Sequence, residues 1–183
     1  MPPASPTADS ATDRPTALAA VLRADLRANR GYPKSVLVLV LLRLAQAARG
    51  RRVLYVPAAT LYKFVAEWVL GVEIPPTTPV GPGLKLRHGV GVVVNPAARI
   101  GANVMLRHGV TLGNRRTATD CPVVEDDVEI GAGATIVGPV TIGRGARIGA
   151  NTVVIHDVPA GGVAHAAPAV IREGQRRDRA RRA

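Results

Sequence analysis

From Val80 to Val158 an aliphatic residue returns every six positions. The row runs Val80, Leu86, Val92, then, after a slip of two residues placed at Val92-Val93, Val94, Ile100, Leu106 and Leu112. Beyond a longer interruption it resumes at Val124, Ile130, Ile136, Ile142, Ile148 and Val154. Four residues after most of these stands a second inward candidate, such as Ala98, Val104, Val110, Val128, Ala134 or Ala146. An amphipathic helix repeats at 3.6 residues and a half-buried strand at 2, so neither produces this spacing. Short β-branched runs that turn a corner every six residues do, when they coil into a β-solenoid. Three such faces close one triangular coil, and coils stack at about 4.8 Å, the ordinary spacing between strands. The first aliphatic fills the interior, and the small residue four places on lets the wall turn. No coil buries its own face, so stability comes from stacked neighbours.

Upstream the pattern changes. Residues 1–15 are Pro, Ala, Ser and Thr with little to bury, and are expected to be a disordered tail. Residues 16–79 form an α-helical region. Leu18, Val21, Leu22 and Leu26 recur at helical spacing behind a candidate cap, Thr16, and Gly31-Tyr32-Pro33 stops that helix. Val36 to Ala48 and Val53 to Gly71 are two further apolar runs. The second of them contains Pro57, Lys63 and Glu67, which argues against a membrane span and for a cap packed on the solenoid. Arg49, Arg51 and Arg52 beside these runs keep peripheral contact with a membrane surface open. Residues 80–171 are the solenoid, and 172–183 a basic tail.

The stretches Leu86-Arg87-His88-Gly89-Val90-Gly91, Val110-Thr111-Leu112-Gly113, Ile130-Gly131-Ala132-Gly133-Ala134 and Ile142-Gly143-Arg144-Gly145-Ala146-Arg147-Ile148-Gly149-Ala150-Asn151 resemble the hexapeptide-repeat acyltransferases, in their serine acetyltransferase-like branch. The resemblance implies a mostly β fold, a left-handed parallel β-helix behind an N-terminal α-helical region. It also implies a homotrimer with active sites between subunits, and acetyl-CoA as co-substrate. Asp25 to Lys34, Glu67 to Pro75 and Gly89 to Asn95 are in turn similar to acetyltransferases of colanic-acid-type exopolysaccharide synthesis. That similarity implies a sugar hydroxyl as acceptor, on a lipid-linked saccharide. Serine O-acetylation for cysteine biosynthesis is the alternative, and a non-catalytic scaffold a further one.

Acetyl transfer to a hydroxyl needs a base for the hydroxyl proton, and histidine suits the task. The chain has four histidines, His88, His108, His156 and His165. His88 and His108 share one repeat position, two after Leu86 and Leu106, and are expected to stack on one outward face. The resemblance makes His88 the catalytic base. His108, Arg87 and Asn95 are candidates for its surroundings. By the same resemblance Gly113, Asn114, Ala132 and Ala150 line the pantetheine slot, and Arg147 meets a phosphate.

Two departures bear on the acceptor. Serine acetyltransferases place an aspartate immediately before the catalytic histidine, where this chain has Arg87. They also place a histidine in the loop after Leu112-Gly113, where it has Cys121. Asp25 is the nearest acid in the helical region. Arg87 would repel the serine ammonium, so free L-serine is expected to be a poor acceptor. Cys121 is expected to be a spectator.

Composition narrows the rest. The net charge is +11, of which the stretch from Leu18 to Gly71 carries +7 (nine cations against Asp25 and Glu67) and the tail from Arg172 +4. No aromatic platform or groove-reading motif accompanies these cations, so nucleic acid is not an expected partner. A metal enzyme of the γ-carbonic anhydrase type would need three histidines on adjacent faces; no third has suitable spacing, and no metal is expected. One cysteine and no apolar leader within residues 1–17 point to a cytoplasmic protein, with the inner face of the membrane as its possible station.

Overall fold

The computed structural model describes residues 17–168. The two expected tails and the candidate cap Thr16 fall outside the described residues, and Ala17 precedes the first helix. Three helices come first: α1 (Leu18–Ala28), α2 (Pro33–Ala48) and α3 (Arg52–Lys63). Gly31 turns the chain at φ +84°, a conformation glycine adopts without penalty, and Pro33 opens α2, where its missing N–H costs nothing. α3 runs on into a π-type turn, Phe64–Val69, closed by the Leu70 N–H donating to Val65 O.

Thirteen short strands follow: β1 (Val72–Glu73), β2 (Lys85–Arg87), β3 (Val92–Val94), β4 (Arg99–Ile100), β5 (Met105–Arg107), β6 (Thr111–Gly113), β7 (Val123–Val124), β8 (Glu129–Ile130), β9 (Thr135–Val137), β10 (Thr141–Ile142), β11 (Arg147–Ile148), β12 (Val153–Val154) and β13 (Val163–Ala164). All pairs are parallel and form three sheets, ordered β1-β3-β6-β9-β12, β10-β7-β4 and β13-β11-β8-β5-β2. These are the three walls that a six-residue period demands. Leu86, Leu106, Ile130 and Ile148 align across one wall, and Leu112, Ile136 and Val154 across another. Nearly every residue of these rows is fully buried. Pairing already begins at Val72↔Val92, ahead of residue 80, where the repeat starts in sequence.

The register relocates the two-residue slip. Arg87 pairs with Arg107, and Val93 with Thr111, so the extra residues lie in the corner between Arg87 and Val92. They do not lie at Val92-Val93, as the spacing suggested. Val92 and Val94 are both buried because they alternate along one strand, and alternation within β3 imitates a slip.

β2 is the end strand of its sheet, and its free backbone groups need partners. The helices supply them. Asp25 accepts from the N–H groups of Gly83 (2.7 Å) and Leu84 (3.2 Å). Asn29 donates to Leu84 O (2.7 Å) and accepts from Leu86 N–H (3.0 Å). Ser35 donates to Leu86 O (2.8 Å). Arg43 pairs with Asp25 at 2.8 Å and donates to the carbonyls of Val80 and Gly81. These four polar residues are buried yet satisfied, which is the condition for polar groups in a core.

Candidate active site

The relocated insertion shapes the site. In the lower coils of this wall the left-handed corner residue is the third after the inward aliphatic: Gly109, Gly133 and Asn151. The top coil keeps that corner at Gly91, φ +75°, stacked on Gly109, and the two extra residues add a second left-handed residue before it, His88, at φ +59°. The corner is widened and held by the Gly91 N–H donating to Gly71 O (2.6 Å) and the Gly109 N–H to Val90 O (2.9 Å). A non-glycine residue in this region is uncommon, and such residues gather at functional sites.

His88 faces outward, as expected, and His108 lies beside it one coil on, with ring centroids 6.4 Å apart and the rings edge to face. Ala132 and Ala150 occupy the same position in the next two coils, two residues after Ile130 and Ile148. The four therefore form one row down a single corner of the prism. The corner is narrow: a Cβ added to Gly131 would stand 2.6 Å from the Ala150 nitrogen. Gly113, Asn114 and Asn95 sit at the next corner instead. There the Asn95 side-chain amide donates to Asn114 Oδ1 (3.2 Å), and Asn95 Oδ1 accepts from Ala97 N–H. Asn95 is thus not gathered around His88. Arg147 projects from the wall, exposed, 4.0 Å from Glu129.

A pocket of about 380 Å³ opens at His88 between the widened corner and the start of α2. Tyr32, Pro33, Lys34, Ser35, Val38, Leu70, Val72 and Val90 help to line it, and no carboxylate among the described residues does. Tyr32 stands edge-on to His88, with centroids 5.9 Å apart. Nothing in the residue pattern singled out Tyr32; its place in the turn that stops α1 was the available signal.

Arg87 departs from expectation. Its guanidinium lies 4.3 Å over the Tyr32 ring and donates to Ala28 O (3.0 Å). It is absent from the pocket wall. Alternation in β2 turns it outward, and the carbonyl end of α1 draws the cation. Arg87 thus makes no direct contact with the pocket interior, and its cation stands behind the Tyr32 wall. Asp25 is committed to β2 and Arg43, as described above, and is not an acceptor-binding acid.

Cys121 is buried, its Sγ near Ala118 O, and burial followed by the Asp120 charge pushes its thiol pKa up. A thiol kept protonated is a poor nucleophile. Asp120 itself pins the long loop by accepting from the N–H groups of Arg115 (3.0 Å) and Arg116 (2.7 Å). Desolvation pushes its carboxyl up, but backbone donors at Arg116, Arg115, Thr117 and Asp120 outweigh that and hold it below the usual range. A lowered pKa means that this anchor is complete above the ordinary carboxylate pKa and lost as pH falls through the lowered value. Protection of the Arg115 and Arg116 amides, measured against the intrinsic exchange rate at each pH, is expected to persist until that point, and to be lost at every pH in Asp120→Ala. Equal protection in the variant would show that the carboxylate does not hold the loop.

Among the described residues no group of three His, Cys, Asp or Glu side chains comes together.

An all-parallel prism of hexapeptides is the architecture of a class of bacterial transferases, and residues 121–156 match the family model described as bacterial transferase hexapeptide (six repeats). A serine acetyltransferase of Helicobacter pylori J99 is 35% identical over 140 residues, which is 75% of this chain and 80% of that protein. One from Bacillus licheniformis is 37% identical over 119 residues, 64% of this chain; the chain spans only 54% of its length. Among solved structures, soybean serine acetyltransferase complexed with serine superposes with a TM-score of 0.72 at 35% identity, covering 82% of this chain and 68% of that one. The Brucella abortus S19 enzyme in complex with coenzyme A gives 0.70 at 29% identity, covering 81% and 64%. The chain belongs to the serine acetyltransferase family, and its solenoid is the left-handed β-helix of that family.

Proposed function

We propose that this chain is an acetyl-CoA-dependent O-acetyltransferase with His88 as general base, and that L-serine is its acceptor. The observation that carries the reading is His88, exposed at the mouth of the pocket and at the head of the small-residue corner row. The acceptor hydroxyl sits against His88, which takes its proton as the oxygen attacks the thioester carbonyl carbon. The C–S bond then breaks, and the coenzyme A sulfur leaves with a proton returned from His88. Ala132 and Ala150 offer a wall without bulk for the pantetheine arm, and Arg147 is an exposed cation for a phosphate. The relatives named above support serine better than a sugar of exopolysaccharide synthesis, for which none of them speaks. The homotrimer implied by the sequence resemblance belongs to the same proposal.

A second reading rests on one observation: among the described residues of the chain, no carboxylate lines the pocket to receive an ammonium group. An uncharged hydroxyl acceptor, such as a sugar, needs none. The two readings separate when release of free coenzyme A is followed with L-serine and with a panel of saccharides at matched concentration. Turnover with L-serine well above the saccharides is expected. Turnover with saccharides alone would replace the first reading by the second, and none with any hydroxyl would leave a scaffold.

A further inference from the structure

α3 and the π-type turn after it are apolar on two opposite sides. One side, with Tyr62 and Ala66, is buried. The other exposes Val53 (86%), Leu61 (53%), Phe64 (58%) and Trp68 (78%), spaced so that they form one stripe along the helix. An exposed apolar stripe of this kind marks a surface that another phase or partner covers. Its charges say which. Arg49, Arg51 and Arg52 are exposed where α2 passes into α3, at one end of the stripe. Lys63 is its remaining cation, and Glu67, the one acid between Arg49 and Leu70, already pairs with Lys63 at 3.6 Å. No described helix is long and apolar enough to cross a membrane.

We propose that this face docks in the plane of an anionic lipid surface, with Phe64 and Trp68 entering the headgroup boundary and the three arginines meeting lipid phosphates. An aromatic and aliphatic stripe flanked by arginine is the chemistry of an interfacial helix. A second copy of the chain fits less well. A two-fold contact sets the patch against itself, and the arginines would then meet a surface whose single acid is already paired, while the heterologous contact of a homotrimer is separated by the sedimentation measurement below. The proposal does not depend on which acceptor the enzyme uses.

Trp68 is the only tryptophan, so its emission reports this face directly. The full chain is mixed with vesicles of phosphatidylcholine alone, or with about one-third phosphatidylglycerol. A blue shift of Trp68 emission and cosedimentation are expected with the anionic vesicles alone, and both should weaken as salt is raised. Leu61→Ser with Phe64→Ser keeps the reporter and removes exposed apolar area, and should lower partitioning by at least about tenfold. Arg49→Gln, Arg51→Gln and Arg52→Gln together should lower it on the order of a hundredfold. Absence of a Trp68 shift in the native chain would overturn the proposal, as would equal binding to neutral vesicles. Undiminished binding of the Leu61/Phe64 variant would assign the binding to the arginine-rich segment 172–183 instead. A lower sedimentation mass for that variant without lipid would assign the face to self-association.

Discussion

His88→Ala is expected to turn over about 10² to 10⁴ times more slowly than the native chain, the usual worth of a positioned general base. The loss should fall on the rate of acetyl transfer and not on folding, because His88 is exposed and packs edge-on to Tyr32 and His108 without entering the core. One complication is the left-handed backbone at φ +59°, which alanine tolerates less well than histidine. His88→Asn is the companion variant, since asparagine adopts this conformation readily. Both should lose the rate, and the asparagine variant should keep the native melting temperature. Near-normal coenzyme A release by His88→Asn would remove His88 from the mechanism. His108→Asn gives the contrast. Its ring lies 6.4 Å from His88, and a smaller loss there would place the proton on His88 and not on the pair.

Ile130→Asp is expected to destabilise the fold by several kcal/mol. Ile130 is fully buried midway along the row Leu86, Leu106, Ile130, Ile148. Truncation there would cost about 2 to 5 kcal/mol through lost transfer energy and the cavity left behind. Aspartate adds a carboxyl group with no partner in a dry coil, and even in its neutral form it lacks a hydrogen bond. Neighbouring coils would lose support as well, because each stacks on the next. Urea unfolding measures the effect, and a midpoint equal to the native one would mean that Ile130 does not face the interior.

The helical region shows where sequence reading stops. The run of apolar residues places three helices, and Gly31-Tyr32-Pro33 breaks the first in the right place. Asp25, Asn29, Ser35 and Arg43 look like ordinary polar positions on those helices. Their meaning appears only when β2 is found to be an end strand whose backbone they complete, across as many as 59 residues of sequence. A similar limit applies to Arg87. Adjacency to His88 in the chain suggested direct adjacency in the site, but strand alternation and the carbonyl end of α1 direct its guanidinium to Ala28 and to the ring of Tyr32, which stands between it and His88.

The sequence by itself determined the solenoid, its three walls and the alignment of His88 with His108. All of these follow from the spacing of aliphatic residues along the chain, and a short-range period needs no knowledge of distant partners. The tertiary structure decided the rest: the place of the extra two residues, the left-handed backbone of His88, the pocket beside Tyr32 and the employment of Asp25. Two valines alternating along β3 carry the same local pattern as a slip in the repeat, so only the pairing of Arg87 with Arg107 and of Val93 with Thr111 separates the two. A polar side chain likewise carries no mark of its partner, because that partner is set by which strand edge the packed helices happen to cover.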